Sequence, residues 1–69
     1  MSGMWTVIYI AANRKLALRL KETLTQEGVM VNLRPIGSSQ AEDLAGYEVL
    51  VPESEAEEAN EIISAALTR

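Results

Sequence analysis

The segments of this chain that resemble β-strands carry large apolar side chains on both of their alternating rows. At residues 5–10, Ile8 and Ile10 occupy one row, whereas Trp5 and Tyr9 occupy the other. Successive side chains of a strand point to opposite faces of the sheet. A chain of 69 residues has helices enough to cover only one of those faces. We therefore expect the second apolar row to form an association surface.

The pattern alone does not decide which row of the first strand faces the helices. We favour Thr6, Ile8 and Ile10 on the covered side, because Trp and Tyr carry polar atoms that prefer a wet or interfacial setting. The opposite assignment, and a C-terminal tail or a 36–46 loop folded over the open face, remain alternatives. The residues expected at the interface are Trp5, Val7, Tyr9, Met30, Asn32, Arg34 and Leu50.

The first half of the chain predicts a strand, a helix and a second strand. Residues 5–10 are β-branched and aromatic, which is typical of a strand. Asn13 is a good N-cap for a helix over 14–27, and Gly28 can close that helix in the left-handed conformation. Residues 29–34 alternate with a period of two and stop at Pro35, which cannot donate to a ladder.

The second half predicts a strand and a helix after a long polar loop. The loop covers residues 36–46, longer than a typical hairpin connection. Residues 47–51 form the third strand. Ser54 and Glu57 have the spacing of a capping box, and the helix that they start runs to about residue 67.

This order predicts a single α+β domain over residues 1–69 with a β-α-β-β-α, ferredoxin-like (split βαβ) fold. The third strand should lie between the other two, in the order 1-3-2, with both helices on one face. The sheet is then antiparallel or mixed, and the first strand is left with a free edge. No Pro or Lys guards that edge, so we expect it to seek a partner.

Composition excludes several function classes. The chain has no cysteine and no histidine, which removes disulfides, thiolate chemistry, nearly all zinc sites and the usual proton shuttle near neutral pH. We predict no enzyme activity, no catalytic residues, no metal and no cofactor. A net charge of -4 disfavours binding to nucleic acid or anionic lipid. Without a leader or a membrane span, the chain is expected to be cytoplasmic.

Positive charge is concentrated on the first helix, which holds four of the six basic residues: Arg14, Lys15, Arg19 and Lys21. Attraction to the acidic second helix explains this segregation, and an acidic partner or ligand that docks on the first helix is the alternative. Together with the loop residues Ser38 and Ser39, the first three of these basic residues are the candidate ligand or partner contacts.

Three stretches of the chain resemble a family of short bacterial proteins of unknown function that are labelled signal transducing proteins. They are residues 7–10, residues 20–29, and residues 51–54 with the acidic and apolar positions that follow. The resemblance implies a fold like that of the trimeric PII-type regulators and a sensing or protein-binding role. Relatives are sometimes named glutamate decarboxylase, but 69 residues cannot enclose pyridoxal phosphate with its lysine and phosphate cup.

Three functions are compatible with these features. The preferred one is a small non-enzymatic interaction or signal-transduction module that forms a homodimer through its open face or free edge. The second is a metabolite or nucleotide sensor that holds its ligand at a subunit interface. The third is a weak binder of single-stranded nucleic acid, which would stack bases on the aromatic side chains of the open face.

Overall fold

A computed structural model describes residues 4–37 and 46–68 as a three-stranded sheet with two helices. The elements in chain order are β1 (Trp5–Ala11), α1 (Arg14–Gln26), β2 (Asn32–Pro35), β3 (Tyr47–Pro52) and α2 (Ala56–Leu67). A short 3₁₀ turn, Glu53–Glu55, joins β3 to α2. The predicted order of elements is therefore confirmed, with shifts at several boundaries.

The central strand of the sheet is β3, which pairs antiparallel with β1 on one side and with β2 on the other. The strand order β1-β3-β2 is the predicted one. It makes the domain a small α+β fold whose sheet is antiparallel throughout. Both β1 and β2 are edge strands of this sheet.

Both helices pack against the same face of the sheet and against each other. Leu20 and Leu24 of α1 and Ile63 of α2 form one buried cluster with Val49 and Val51 of β3. Each residue in this cluster is nearly or fully excluded from solvent. Burying a side chain of this size is worth about 1.5–3 kcal/mol, so this cluster is the main source of the domain's stability.

The ends of α1 follow from local sequence signals. The Asn13 side chain accepts a hydrogen bond from the N–H of Leu16 at 2.9 Å, as an N-cap does. At the other end Gly28 has a φ of +85°. The N–H of Val29 donates to the carbonyl of Leu24 at 3.0 Å, which completes a Schellman motif. Both predicted caps are confirmed, and α1 ends one residue earlier than expected.

A bulge interrupts β1, where the register against β3 shifts between Val7 and Tyr9. The extra residue is Ile8, which packs against the buried cluster. Tyr9 lies opposite Val49 of the core and packs against the same cluster. Two consecutive side chains of β1 therefore face the helices, as a β-bulge permits.

The bulge corrects the predicted rows of the first strand. Thr6 and Ile8 lie on the helix side, as expected, but Ile10 does not. It lies opposite Glu48 on the other side of the sheet and is 59% exposed. Tyr9 was expected on the open face, and this is wrong because the bulge shifts the alternation by one residue after Ile8.

The start of β2 and the start of α2 also differ from the predictions. The Schellman motif uses residues up to Val29, so the strand begins three residues later than expected and extends through Pro35. Pro35 is tolerated because β2 is an edge strand. The predicted capping box is wrong: Ser54 lies within the 3₁₀ turn, and no side chain caps the N-terminus of α2.

Candidate interaction surface

The side of the sheet opposite the helices, here called the outer face, is assigned by strand register. Residues directly opposite one another in an antiparallel ladder point to the same face. Val7 and Asn32 both lie opposite Leu50, on either side of it. The outer face consists of Trp5, Val7 and Ile10 on β1, Glu48, Leu50 and Pro52 on β3, and Asn32 and Arg34 on β2.

An apolar column runs along β1 on this face and consists of Trp5, Val7 and Ile10. Their exposed fractions are 41%, 38% and 59% respectively. Single exposed apolar side chains are ordinary on protein surfaces, but three large ones next to each other on one strand form a continuous apolar patch. The column confirms that a second apolar row lies on the side of the sheet that no described helix covers, and it adds Ile10 to the predicted set.

Ile10 was missed because no signal for the bulge is readable in the alternation of β1. A strict period of two places Ile10 with Ile8, and only the register against β3 separates them. Once the bulge is known, the same rule of alternation puts Trp5, Val7 and Ile10 together.

Leu50 lies on the outer face but is only 7% exposed. It sits in the central strand, flanked by Val7 on one side and Asn32 on the other. The expectation that Leu50 is an open contact residue is therefore wrong, because its neighbours in the sheet already cover it. A charge placed at Leu50 would test folding rather than association.

A polar column runs along β2 and consists of Asn32 and Arg34. The Nε and Nη2 atoms of Arg34 both lie 2.6 Å from Oε1 of Glu48, the residue directly opposite on β3. The two side chains are 63% and 25% exposed, so their attraction is screened by water. The outer face therefore has an apolar side along β1 and a polar side along β2.

The free edge of β1 is less open than the sequence predicts. A bulge increases the local twist and breaks the regular row of N–H and C=O groups that another strand would need. The bulge at Val7–Tyr9 lies in the middle of this edge. The bulge makes β1 a less regular template for an added strand than a straight edge strand would be.

Met30 lies outside the strands, two residues before β2, and is exposed. Its N–H donates to Oε1 of Glu55 at 3.2 Å, which ties the chain entering β2 to the turn before α2. Glu55 is thus used for a tertiary contact rather than for capping.

A groove of about 540 Å³ separates the outer surfaces of α1 and α2. It contains one cation and two carboxylates above an apolar floor; the residues are Arg19, Thr23, Glu27, Glu61, Ile62, Ala65 and Ala66. Arg19 is the one predicted ligand residue placed in this groove, while Arg14 and Lys15 lie exposed in the first turn of α1. Ser38 and Ser39 lie outside the described residues.

Neither described helix has the length and apolar character needed to cross a bilayer. No known protein family, curated protein or solved structure matches this chain.

Proposed function

We propose that this protein is a small non-enzymatic interaction or signal-transduction module that pairs with a second copy of itself through the outer face. The observation that carries the proposal is the exposed column of Trp5, Val7 and Ile10 on a face that no described helix covers. A second copy is a fitting partner because it presents an equal apolar column, and closed two-fold dimers are the commonest assemblies of soluble proteins.

The size of the apolar column predicts a weak dimer. Covering the exposed part of each side chain is worth on the order of 1 kcal/mol, and two copies contribute six such side chains. Association costs about 4–15 kcal/mol in lost freedom of motion. Because the two terms are comparable, the dimer should form only at high protein concentration, as suits a contact that a cell can switch.

The fold supports the same role. A β-α-β-β-α order with strands arranged 1-3-2 fits a ferredoxin-like split βαβ unit that lacks its last strand. The resemblance to the short bacterial signal transducing proteins and to PII-type regulators rests on residues 7–10, 20–29 and 51–54. It supports sensing or protein binding as the broader context of the dimer.

The test is the oligomeric state of two matched variants. Ile10→Asp places a charge on the apolar column, whereas Leu18→Asp makes the same kind of change on α1, at a residue of similar exposure on the helix side. Light scattering should be measured from roughly 10 µM to 1 mM, the range expected for a weak complex, with circular dichroism to verify folding.

We expect the parent chain and Leu18→Asp to dimerise with rising concentration and Ile10→Asp to stay monomeric with unchanged helix content. A parent chain that remains monomeric at the highest concentration would overturn the proposal. So would equal loss of dimer in both variants, since that would place the contact elsewhere.

The groove between the helices favours a second candidate function, a metabolite or nucleotide sensor. Arg19 can hold an acidic group and Ile62 offers apolar contact, while Glu27 and Glu61 favour a ligand that also carries a positive charge, such as an amino acid. A thermal-shift screen with nucleotides, acyl-coenzyme A species and amino acids tests this function. A ligand of this groove should raise the melting temperature of the parent chain but not of Arg19→Gln, and Lys15→Gln is the matched control. If no compound raises the melting temperature, this candidate fails.

Binding of single-stranded nucleic acid has less support. Arg34 is the basic residue of the outer face, and Glu48 already neutralises it. Trp5 lies on the opposite edge strand, and the chain has a net charge of -4. Nucleic-acid affinity depends on basic groups that displace counterions, so we expect no binding to oligonucleotides even at low salt.

A further inference from the structure

The outer face is divided into columns along the strands and rows across them, and this division restricts how two copies can meet. The first row is Trp5 with Pro52. The next is Val7, Leu50 and Asn32, and the last is Ile10, Glu48 and Arg34. The apolar column lies entirely on the β1 side of Leu50, and the polar column lies on the β2 side.

Two outer faces that pack together by two-fold symmetry have an axis lying between the sheets. The strands of packed sheets stay nearly aligned, within about 30°. The axis can therefore run across the strands or along them. In both cases all three rows and all three columns overlap when the axis passes over Leu50, the centre of the face.

An axis across the strands reverses strand direction but keeps each column over its equivalent. β1 then lies over β1 of the partner, so Trp5 meets the partner's Ile10 and Val7 meets the partner's Val7. On the other side, Asn32 meets Asn32 of the partner subunit and the two polar columns face each other. In the two outer columns apolar surface is matched with apolar surface and polar surface with polar surface. In the central column the reversed rows place Glu48 over Pro52 of the partner subunit, while Arg34 has no strand residue of the partner opposite it.

An axis along the strands keeps the strand direction but places β1 over β2 of the partner. Val7 then meets the partner's Asn32, and Ile10 meets the partner's Arg34. Arg34 then loses its water beneath the partner's Ile10, while Glu48 in the central column meets the partner's Glu48, a like charge. Removing charged groups from water without compensation opposes association.

We infer that the partner of the outer face is a second copy of this chain, packed with its strands antiparallel about a two-fold axis that crosses the strands at Leu50. The inference rests on the proposed function and goes further, because it assigns residue-to-residue contacts. Trp5 against Ile10 of the partner subunit is the main apolar contact, made twice by symmetry, and Val7 lies near the axis.

The absence of cysteine from the chain makes this geometry testable by cross-linking. Val7→Cys and Asn32→Cys are matched sites, since both flank Leu50 in the same row and both are exposed. Packed sheets lie about 10 Å apart, farther than a disulfide reaches without side chains that approach each other. Each variant is therefore treated with a short bis-maleimide as well as with an oxidant.

With the axis across the strands, each variant cross-links to itself. An equimolar mixture then gives several-fold less of the Val7→Cys to Asn32→Cys product than of the two self-products, as resolved by mass spectrometry. The reverse result, a dominant mixed product with little self-product, would overturn the inferred axis in favour of the one along the strands.

Light scattering of the same variants, kept reduced, distinguishes a failure of the inferred packing from a failure of the proposed dimer. If they dimerise but neither self-product nor mixed product forms, the inferred packing is wrong while the proposed function stands. If they and the parent chain are monomeric at all concentrations, the proposed function itself fails.

Discussion

The two faces of one sheet carry the same kinds of residue but have opposite surroundings. On the helix side, Val49 and Val51 are fully buried. On the outer face, Val7 and Ile10 are β-branched and apolar as well, yet both are exposed. Residue type therefore does not decide burial in this protein. The chain supplies cover for the helix side through α1 and α2, whereas no described helix covers the outer face.

The two faces also differ in whether their contacts depend on protein concentration. The helix side is held by contacts that form whenever the chain folds, at any concentration. The proposed contact between two outer faces would be worth only a few kcal/mol after association costs and would respond to protein concentration. In the proposed dimer, stability would depend mainly on the helix side and association on the outer face.

The largest expected effect is on the helix side. Leu24→Ala removes a fully buried side chain of the main cluster and should lower the free energy of unfolding by about 2–5 kcal/mol. Urea denaturation followed by circular dichroism measures it. Leu18→Ala, on the same helix but exposed, is the control and should cost less than about 1 kcal/mol. Equal losses would mean that α1 does not pack as described.

Leu50 tests whether the outer face contributes to folding as well. Leu50→Ala should cost about 2 kcal/mol, near the low end for a buried leucine, because no described helix lies over it to enclose a cavity. Val7→Ala, in the same row but exposed, should cost less than about 1 kcal/mol. Thermal or urea unfolding at low protein concentration keeps association out of the measurement. A smaller cost for Leu50 than for Val7 would contradict this burial.

The fluorescence of Trp5 reports whether the outer face is covered. Trp5 is the only tryptophan of the chain and is part of the apolar column. We expect its quenching by acrylamide to decrease as protein concentration rises, because pairing shields the indole. In Ile10→Asp the quenching should stay at its dilute value. If Trp5 is already protected at low concentration, the outer face is covered within one chain.

The smallest effect concerns the polar column. Exposed ion pairs contribute about 0.2–1 kcal/mol, so a double-mutant cycle on Arg34→Ala and Glu48→Ala should give a coupling free energy in that range. The coupling should fall in high salt because the pair is screened. A coupling of several kcal/mol would show that the pair is shielded from water and that the polar column is covered too.

Features that depend on a few neighbouring residues could be predicted from the sequence. The caps at Asn13 and Gly28, the order of elements and the inward side of β3 were all predictable, since hydrogen bonds within a turn and alternation within a strand are local. The strand order 1-3-2 followed because the connections allow few alternatives. The existence of a second apolar row was also readable.

The identity of the residues in that row became clear only from the way the strands pair. The bulge at Ile8 arises from the fit of β1 to β3, and it moves Tyr9 to the helix side and Ile10 to the outer face. The burial of Leu50 and the contact of Glu55 with Met30 likewise join residues that are distant in the chain. Such features depend on which strands and turns come to lie side by side. The alternation of residues within one strand does not specify how that strand pairs with its neighbours in the sheet.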